Sequence, residues 1–169
     1  MPTKIGMVSL GCPKNQVDAE MLLYTLREAG YELSEDPALA DAVIINTCGF
    51  IESAKQEAIE ETMEYIALKK EGRIKKIILT GCLAERYREE IREEMPEVDA
   101  VVGIGANKDI VSVVEKVMHD GKCCRFGEKC ELPLEGGRIL STLPFYAYLK
   151  IAEGCDNRCS YCAIPNIRG

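Results

Sequence analysis

Nine of the 169 residues are cysteine, and six of them fall into two spaced groups. Cys155, Cys159 and Cys162 stand in Cys-Asp-Asn-Arg-Cys-Ser-Tyr-Cys, a CxxxCxxC run. Three thiolates on so short a stretch can wrap one metal cluster with a low loop-closure cost. Iron–sulfur clusters usually take four cysteines. Three ligands therefore leave one metal atom open to bind and activate something else, as open catalytic metal sites do. A zinc loop, or a chance spacing, is the plain alternative.

The second group is dispersed. Cys12, Cys48 and Cys82 lie 48 − 12 = 36 and 82 − 48 = 34 residues apart, each following an apolar run: Ser-Leu-Gly-Cys12, Ile-Asn-Thr-Cys48 and Leu-Thr-Gly-Cys82. If those runs are parallel strands, all three thiols reach the carboxyl edge of one sheet, where ligands bind in such folds. Neighbouring strands are about 4.8 Å apart, close enough for thiolates on adjacent loops to share one inorganic centre. Helix N-termini beside the loops favour anionic sulfur. Three buried core thiols are the plain alternative. Gly11, Gly49 and Gly81 permit tight turns near a ligand, and equally suit ordinary strand-to-helix turns.

The elements that must position these groups are legible up to about Met118. Strands are expected at Lys4–Leu10, Tyr31–Ser34, Asp41–Asn46, Lys75–Thr80 and Ala100–Ile104. The longer ones are near-continuous Val/Ile/Leu runs, which suit parallel strands covered on both faces. Between them, Asn15 can cap a helix ending at Gly30. Ser53 and Gln56 form a capping-box pattern for a helix that stops at Gly72. Its apolar stripe is Ala54, Ala58, Ile59, Thr62 and Ile66. A third helix runs from about Ala84 to before Pro96, and a fourth from Asn107 through Val117. Alternation of this kind predicts a flavodoxin-like α/β domain, with five parallel strands in the order 2-1-3-4-5 and helices on both faces.

The expected organisation is a cluster-binding domain over residues 1–120, a linker over 121–143 and the start of a second domain over 144–169. The linker is punctuated by Gly and Pro. After it, Phe145, Ala147, Leu149 and Ile151 alternate with Tyr146, Tyr148 and Lys150, a period-two strand. About 25 residues are too few for a domain of their own.

Composition narrows the function classes. Twenty-one basic against 28 acidic residues give a net charge of −7, which disfavours a duplex-binding face built from clustered Lys and Arg. At 47% hydrophobic and 29% charged residues, the chain is not a disordered polymer. No apolar run approaches the 18 or so residues of a membrane span. The first apolar stretch is too short for a signal peptide, so a cytoplasmic setting is expected, where thiols stay reduced. Other residues draw plainer readings. Cys123, Cys124 and Cys130 match no ligand pattern and read as free thiols. His119, the one histidine, suits a helix C-terminus. Gly103-Ile104-Gly105 lacks the rest of a dinucleotide fingerprint and reads as a loop. The acidic run from Glu85 to Glu97 reads as a solvated helix face. Tyr146 and Tyr148 read as strand packing.

The CxxxCxxC loop after a strand resembles the signature of radical S-adenosylmethionine (SAM) enzymes. The flanking Glu153-Gly154 and Ala163-Ile-Pro165-Asn-Ile-Arg168-Gly169 resemble the methylthiotransferase family within them. Gly11-Cys12-Pro13-Lys14-Asn15 and Asn46-Thr47-Cys48-Gly49-Phe50-Ile51 resemble the branch that modifies a ribosomal protein rather than tRNA. The resemblance covers the whole chain. It implies that Cys155, Cys159 and Cys162 hold a 4Fe–4S cluster that binds SAM, whose reductive cleavage yields a hydrogen-abstracting radical. It implies that Cys12, Cys48 and Cys82 hold an auxiliary 4Fe–4S cluster that presents sulfur, a second SAM giving the methyl group. The implied substrate is the β-carbon of an aspartate in small-subunit ribosomal protein twelve, with an electron donor as further partner. A tRNA substrate of the same family, or a non-catalytic zinc-binding module, stay open as alternatives. The resemblance also implies a barrel after the loop, of about 250 residues. Only seven residues follow Cys162, so the 144–169 stretch reads as the first strand and loop of a truncated barrel, and turnover by this chain alone is not expected.

Overall fold

A computed structural model describes residues 3–129 and 132–169, the side chain of Asp120 excepted. Six strands form one parallel sheet: β1 (Lys4–Ser9), β2 (Glu32–Leu33), β3 (Ala42–Thr47), β4 (Lys76–Gly81), β5 (Ala100–Val102) and β6 (Cys123–Arg125). Their order is β2-β1-β3-β4-β5-β6, the expected 2-1-3-4-5 order with one strand added. The register aligns Ile5 with Ala42 and Ser9 with Asn46, then Asn46 with Thr80, so the three central strands end together.

The central strands are apolar throughout because both of their faces are covered. Val43, Ile45, Ile77 and Leu79 pack under α2 (Glu52–Lys70), α3 (Cys82–Arg86) and α4 (Arg88–Glu94) through Ala58, Ile66, Leu83 and Ile91. Ile5, Ile44, Ile78 and Val102 face the other way, toward α1 (Pro13–Glu28) and α5 (Ile110–Asp120), meeting Leu22, Leu26, Val113 and Val117. Odd and even residues of one strand thus feed two cores.

Several local expectations change. The sixth strand lies inside the expected linker. It carries Cys123 and Cys124, two free thiols, and three polar or small residues gave no apolar run to announce it. Cys130 lies outside the described residues. The expected third helix is two, broken at Tyr87 with φ −120° and ψ 38°. Asn107 lies in a 3-10 turn, Ile104–Asp109, that leads into α5. Neither expected cap forms. Cys12 precedes α1 and Ile51 precedes α2, without a side-chain cap bond, and Gln56 instead donates to Glu60 at 2.7 Å. Glu85, the first of the acidic run, is not solvated. Its carboxylate accepts the Ile104 N–H at 3.0 Å and pairs with Lys129 at 3.4 Å.

The stretch 144–152 forms no strand. Its alternation is also inverted, since Phe145, Leu149 and Ile151 face solvent and Lys150 is buried. A period-two pattern becomes a strand only where another strand can pair with it, and none does among the described residues. Tyr146 and Tyr148 meet each other edge to face, with ring centroids 5.8 Å apart. A last helix, α6 (Ile164–Arg168), follows the CxxxCxxC loop.

Candidate metal centre

The sheet brings Cys12, Cys48 and Cys82 to one place. They follow β1, β3 and β4, three neighbours at the middle of the sheet. Cys48 and Cys82 are buried and Cys12 is exposed, so the set forms a recess with one open side. The backbone permits this closeness at two glycines. Gly11 has φ +90°, and a Cβ there would stand 2.8 Å from the Cys48 sulfur. Gly81 has φ +95°, and a Cβ there would stand 2.6 Å from Asn46 Oδ1. Both conformations disfavour side chains.

Polar groups behind the thiols hold the recess in shape. The Asn15 amide donates to Leu10 O at 3.0 Å and Thr47 O at 2.8 Å, tying the Cys12 loop to the Cys48 loop. Its Oδ1 accepts from the Cys82 thiol at 3.5 Å. Asn46 donates to Asn15 O at 2.6 Å, while its buried Oδ1 has no hydrogen-bond partner among the described residues. Ile104 and Ile167, with Leu132 and Ala163 beside them, pack against Cys82. Burial pushes the Cys82 thiol up to about 11. The Arg168 guanidinium pulls the other way, and the Cys48 and Cys12 sulfurs add to the rise. The Cys82 thiol therefore feels the other two. Thiolate ligands become favourable at such a place only when a cation binds them.

Thiolate sulfur is the donor that iron–sulfur clusters take, and zinc accepts it as well, so the three converging thiols suit either by donor type. Among the described residues, no group of three or more Cys, His, Asp or Glu side chains is already placed to hold a metal ion.

The second group, Cys155, Cys159 and Cys162, sits on an irregular loop. The first two are exposed and the third half-buried. The loop is folded by Cys162 N–H donating to Cys159 O at 3.0 Å and closed at its base by Cys155 N–H donating to Gly169 O at 3.0 Å. Asn157 approaches the Cys155 sulfur at 3.6 Å.

What joins the two groups is a set of buried charges that sequence reasoning missed. Lys150 pairs with Asp18 at 2.8 Å and with Glu153 at 2.6 Å. Arg168 pairs with Asp18 at 2.9 Å and with Glu153, and its Nη2 donates to Asn15 Oδ1 at 2.5 Å. Lys14 donates to Glu153 O. Burial works against the Glu153 charge, yet hydrogen bonds from Lys150 and Arg168 outweigh it and hold the carboxyl below its ordinary range. Residues 150–169 are thereby seated on the N-terminal half of α1, beside the three-cysteine recess. Glu153 and Arg168 stand in the stretches that carry the family resemblance, which does not say what they pair with. Asp18 and Lys150 belong to no motif, and the one hint was a lysine inside an apolar alternation.

A family model described as Uncharacterized protein family UPF0004 matches residues 4–103, which spans the sheet from β1 to β5 and all three recess cysteines. Over 170 residues the chain is 49% identical to the ribosomal protein uS12 methylthiotransferase RimO of Pelotomaculum thermopropionicum. It is 50% identical over 172 residues to the protein of the same name from Desulforamulus reducens, and 52% identical over 166 residues to that of Caldanaerobacter subterraneus subsp. tengcongensis. These alignments take in 98 to 100% of this chain and 38% of each relative, so the chain spans little more than a third of the length of the relatives it matches. No helix among the described residues is long and apolar enough to cross a membrane. With the family model covering more than half of its length, the chain belongs to the family described as Uncharacterized protein family UPF0004.

Proposed function

We propose that this chain is the cluster-binding part of a cytoplasmic radical-SAM methylthiotransferase that adds a methylthio group at the β-carbon of an aspartate in ribosomal protein uS12. The observation that carries the reading is the convergence of Cys12, Cys48 and Cys82 from three adjacent strands onto one recess, with the CxxxCxxC segment seated beside it. In this reading Cys12, Cys48 and Cys82 hold an auxiliary 4Fe–4S cluster, and Cys155, Cys159 and Cys162 hold the 4Fe–4S cluster to which SAM binds. When bound, these groups supply the radical chemistry and the sulfur that no side chain can provide.

The chain's own residues bind, orient and exclude water. Gly11 lets the Cys12 loop close over Cys48. Asn15 fixes the spacing of the loops that carry Cys12 and Cys48. Ile104 and Ile167 keep water from the Cys82 side, and the exposed Cys12 side leaves the approach for substrate. Seating the second group beside the first provides the proximity that a sulfur insertion between them needs.

Anaerobic reconstitution with iron and sulfide, followed by metal and sulfide counting, tests the reading. Two 4Fe–4S clusters per chain are expected, and changing Cys12, Cys48 and Cys82 to Ala should remove one and spare the other. Stoichiometric zinc without sulfide overturns it. The substrate is tested with the whole enzyme from which the chain comes, offered uS12 or tRNA and read by mass spectrometry. Methylthio addition to tRNA alone would overturn the assignment to a ribosomal protein.

A further inference from the structure

A cation from the other cysteine segment stands beside the three-cysteine recess. Arg168 ends α6, six residues beyond Cys162, and its side chain is 2% exposed. Three of the five guanidinium N–H groups are engaged by Asn15 Oδ1, Asp18 Oδ2 and Glu153 Oε1. Cys82 and Arg168 share Asn15 Oδ1 as an acceptor, and Ile167, next to Arg168, packs against Cys82, so the guanidinium charge lies near enough to favour the Cys82 thiolate. Lys150 closes the set by bridging Asp18 and Glu153. Two anions thus hold two cations, one of which shares its Asn15 acceptor with a recess cysteine. A surface ion pair would not be built this way, because burying four charges is costly unless geometry and hydrogen bonds compensate.

We propose that Arg168 is a positioning residue for the three-cysteine centre: its guanidinium donates to Asn15 Oδ1, the acceptor it shares with Cys82, while Asp18 and Glu153 clamp it, so that one side chain fixes the CxxxCxxC segment against the recess and holds a positive charge beside it. The proposal rests on the reading of Cys12, Cys48 and Cys82 as cluster ligands. Hydrogen bonds to ligand sulfur, and outer partners of metal ligands generally, set a cluster's reduction potential. A positive charge held beside the centre stabilises the more negative, reduced state. Lysine keeps the charge at that place but not the planar fork that reaches several acceptors at once.

The test uses this chain with Cys155, Cys159 and Cys162 changed to Ala, so that the recess alone takes a cluster. Wild-type Arg168 is compared there with R168K and R168Q. A redox titration followed by electron paramagnetic resonance reads the cluster. Amide hydrogen exchange on the metal-free, otherwise unchanged chain reads the seating of residues 150–169. In R168Q the potential should fall, and exchange in residues 153–169 should quicken at least tenfold while the amides of β1, β3 and β4 stay protected. R168K should fall between the two in potential and resemble R168Q in exchange. An unchanged potential in R168Q overturns the role of the guanidinium charge at the centre, and unchanged exchange overturns the clamp. Loss of protection in the strands would mark misfolding in R168Q and pass the decision to R168K. If the unchanged recess takes up no iron, the cluster reading itself fails, which the iron count reports before any variant at position 168 is made.

Discussion

Both edges of the sheet carry aspartates paired with cations, and the two edges treat those charges differently. At the amino edge, Asp99 precedes β5 and accepts from the Lys69 ammonium and, at 2.8 Å, from Ile77 N–H, with Lys76 at 3.5 Å. Lys69 and Lys76 remain 23% exposed. At the carboxyl edge, Asp18 accepts from Lys150 and Arg168, which are 3% and 2% exposed. The amino-edge partners are 22 to 30 residues apart in sequence, all within the consecutive run from the end of α2 to the start of β5. The carboxyl-edge partners are 132 and 150 apart. Water shares the work at the first edge and is excluded at the second, where each charge acts at lower effective dielectric. The amino edge closes the α/β unit. The carboxyl edge seats a remote segment against three thiols, and it keeps charges where a stability-driven design would place apolar side chains.

The sharpest way to break this contrast is Asp18→Asn. It leaves Lys150 and Arg168 with Glu153 as their one remaining anion, and removing one member of a buried ionic set costs about 3–5 kcal/mol. Because the set ties residues 150–169 to α1, the loss should surface as local detachment of that segment. Hydrogen exchange and urea unfolding should report a segment that opens early and a sheet that unfolds near its usual midpoint. Gly11→Ala follows in size. It forces a side chain into φ +90°, which costs about 1–2 kcal/mol. It also drives a methyl against Cys48, adding about 1–3 kcal/mol of overpacking. The urea midpoint should fall, and iron uptake by the recess should fall with it. Asp99→Asn is milder. Its lysines can turn to water, so about 1–2 kcal/mol is expected, mostly from the weakened bond to the buried Ile77 N–H. That loss should be global, with one unfolding transition. If Asp99→Asn releases a segment and Asp18→Asn does not, the roles of the two edges are reversed.

Sequence reasoning reached the sheet and the cysteines by the same route. Val43-Ile44-Ile45 and Ile77-Ile78-Leu79 are apolar on both alternations, which only a doubly covered strand needs, and Cys48 and Cys82 each stand three residues beyond such a run. The pairing of elements far apart was not legible. Asp18, Lys150, Glu153 and Arg168 form no periodic pattern, and their meaning depends on a contact across more than 130 residues. Asn15 was legible as a polar residue at a helix start, but its amide bridges two loops because Cys12 and Pro13 had already begun the helix. β6 was hidden because Cys-Cys-Arg carries little β signal, and its strand character comes from pairing with β5. The Phe145–Ile151 alternation misled for the converse reason, since a pattern cannot make a ladder without a partner.

The smallest effect separates the edges by solvent. Asp41, before β3, accepts the Lys4 N–H at 2.9 Å and the Lys75 ammonium at 2.7 Å. The backbone bond first, and Lys75 second, hold its carboxyl below the ordinary value. The folded pKa is then lower than the unfolded one, so the stabilisation is complete above an unfolded value of about 4 and is lost as pH falls through the folded value. Lys75 is largely exposed, which limits the contribution to about 0.5 kcal/mol. Urea midpoints of the unchanged chain and of Asp41→Asn should therefore differ slightly at pH 6 and converge toward pH 3. Added salt gives the second axis. At about 1 M the Debye length is near 3 Å, so the Lys75 share of the Asp41 effect should shrink. The penalty of Asp18→Asn should hold, because counterions cannot reach Lys150 or Arg168. Equal salt sensitivity at both positions would mean that water enters the carboxyl edge, and that the seating of residues 150–169 is looser than its buried charges require.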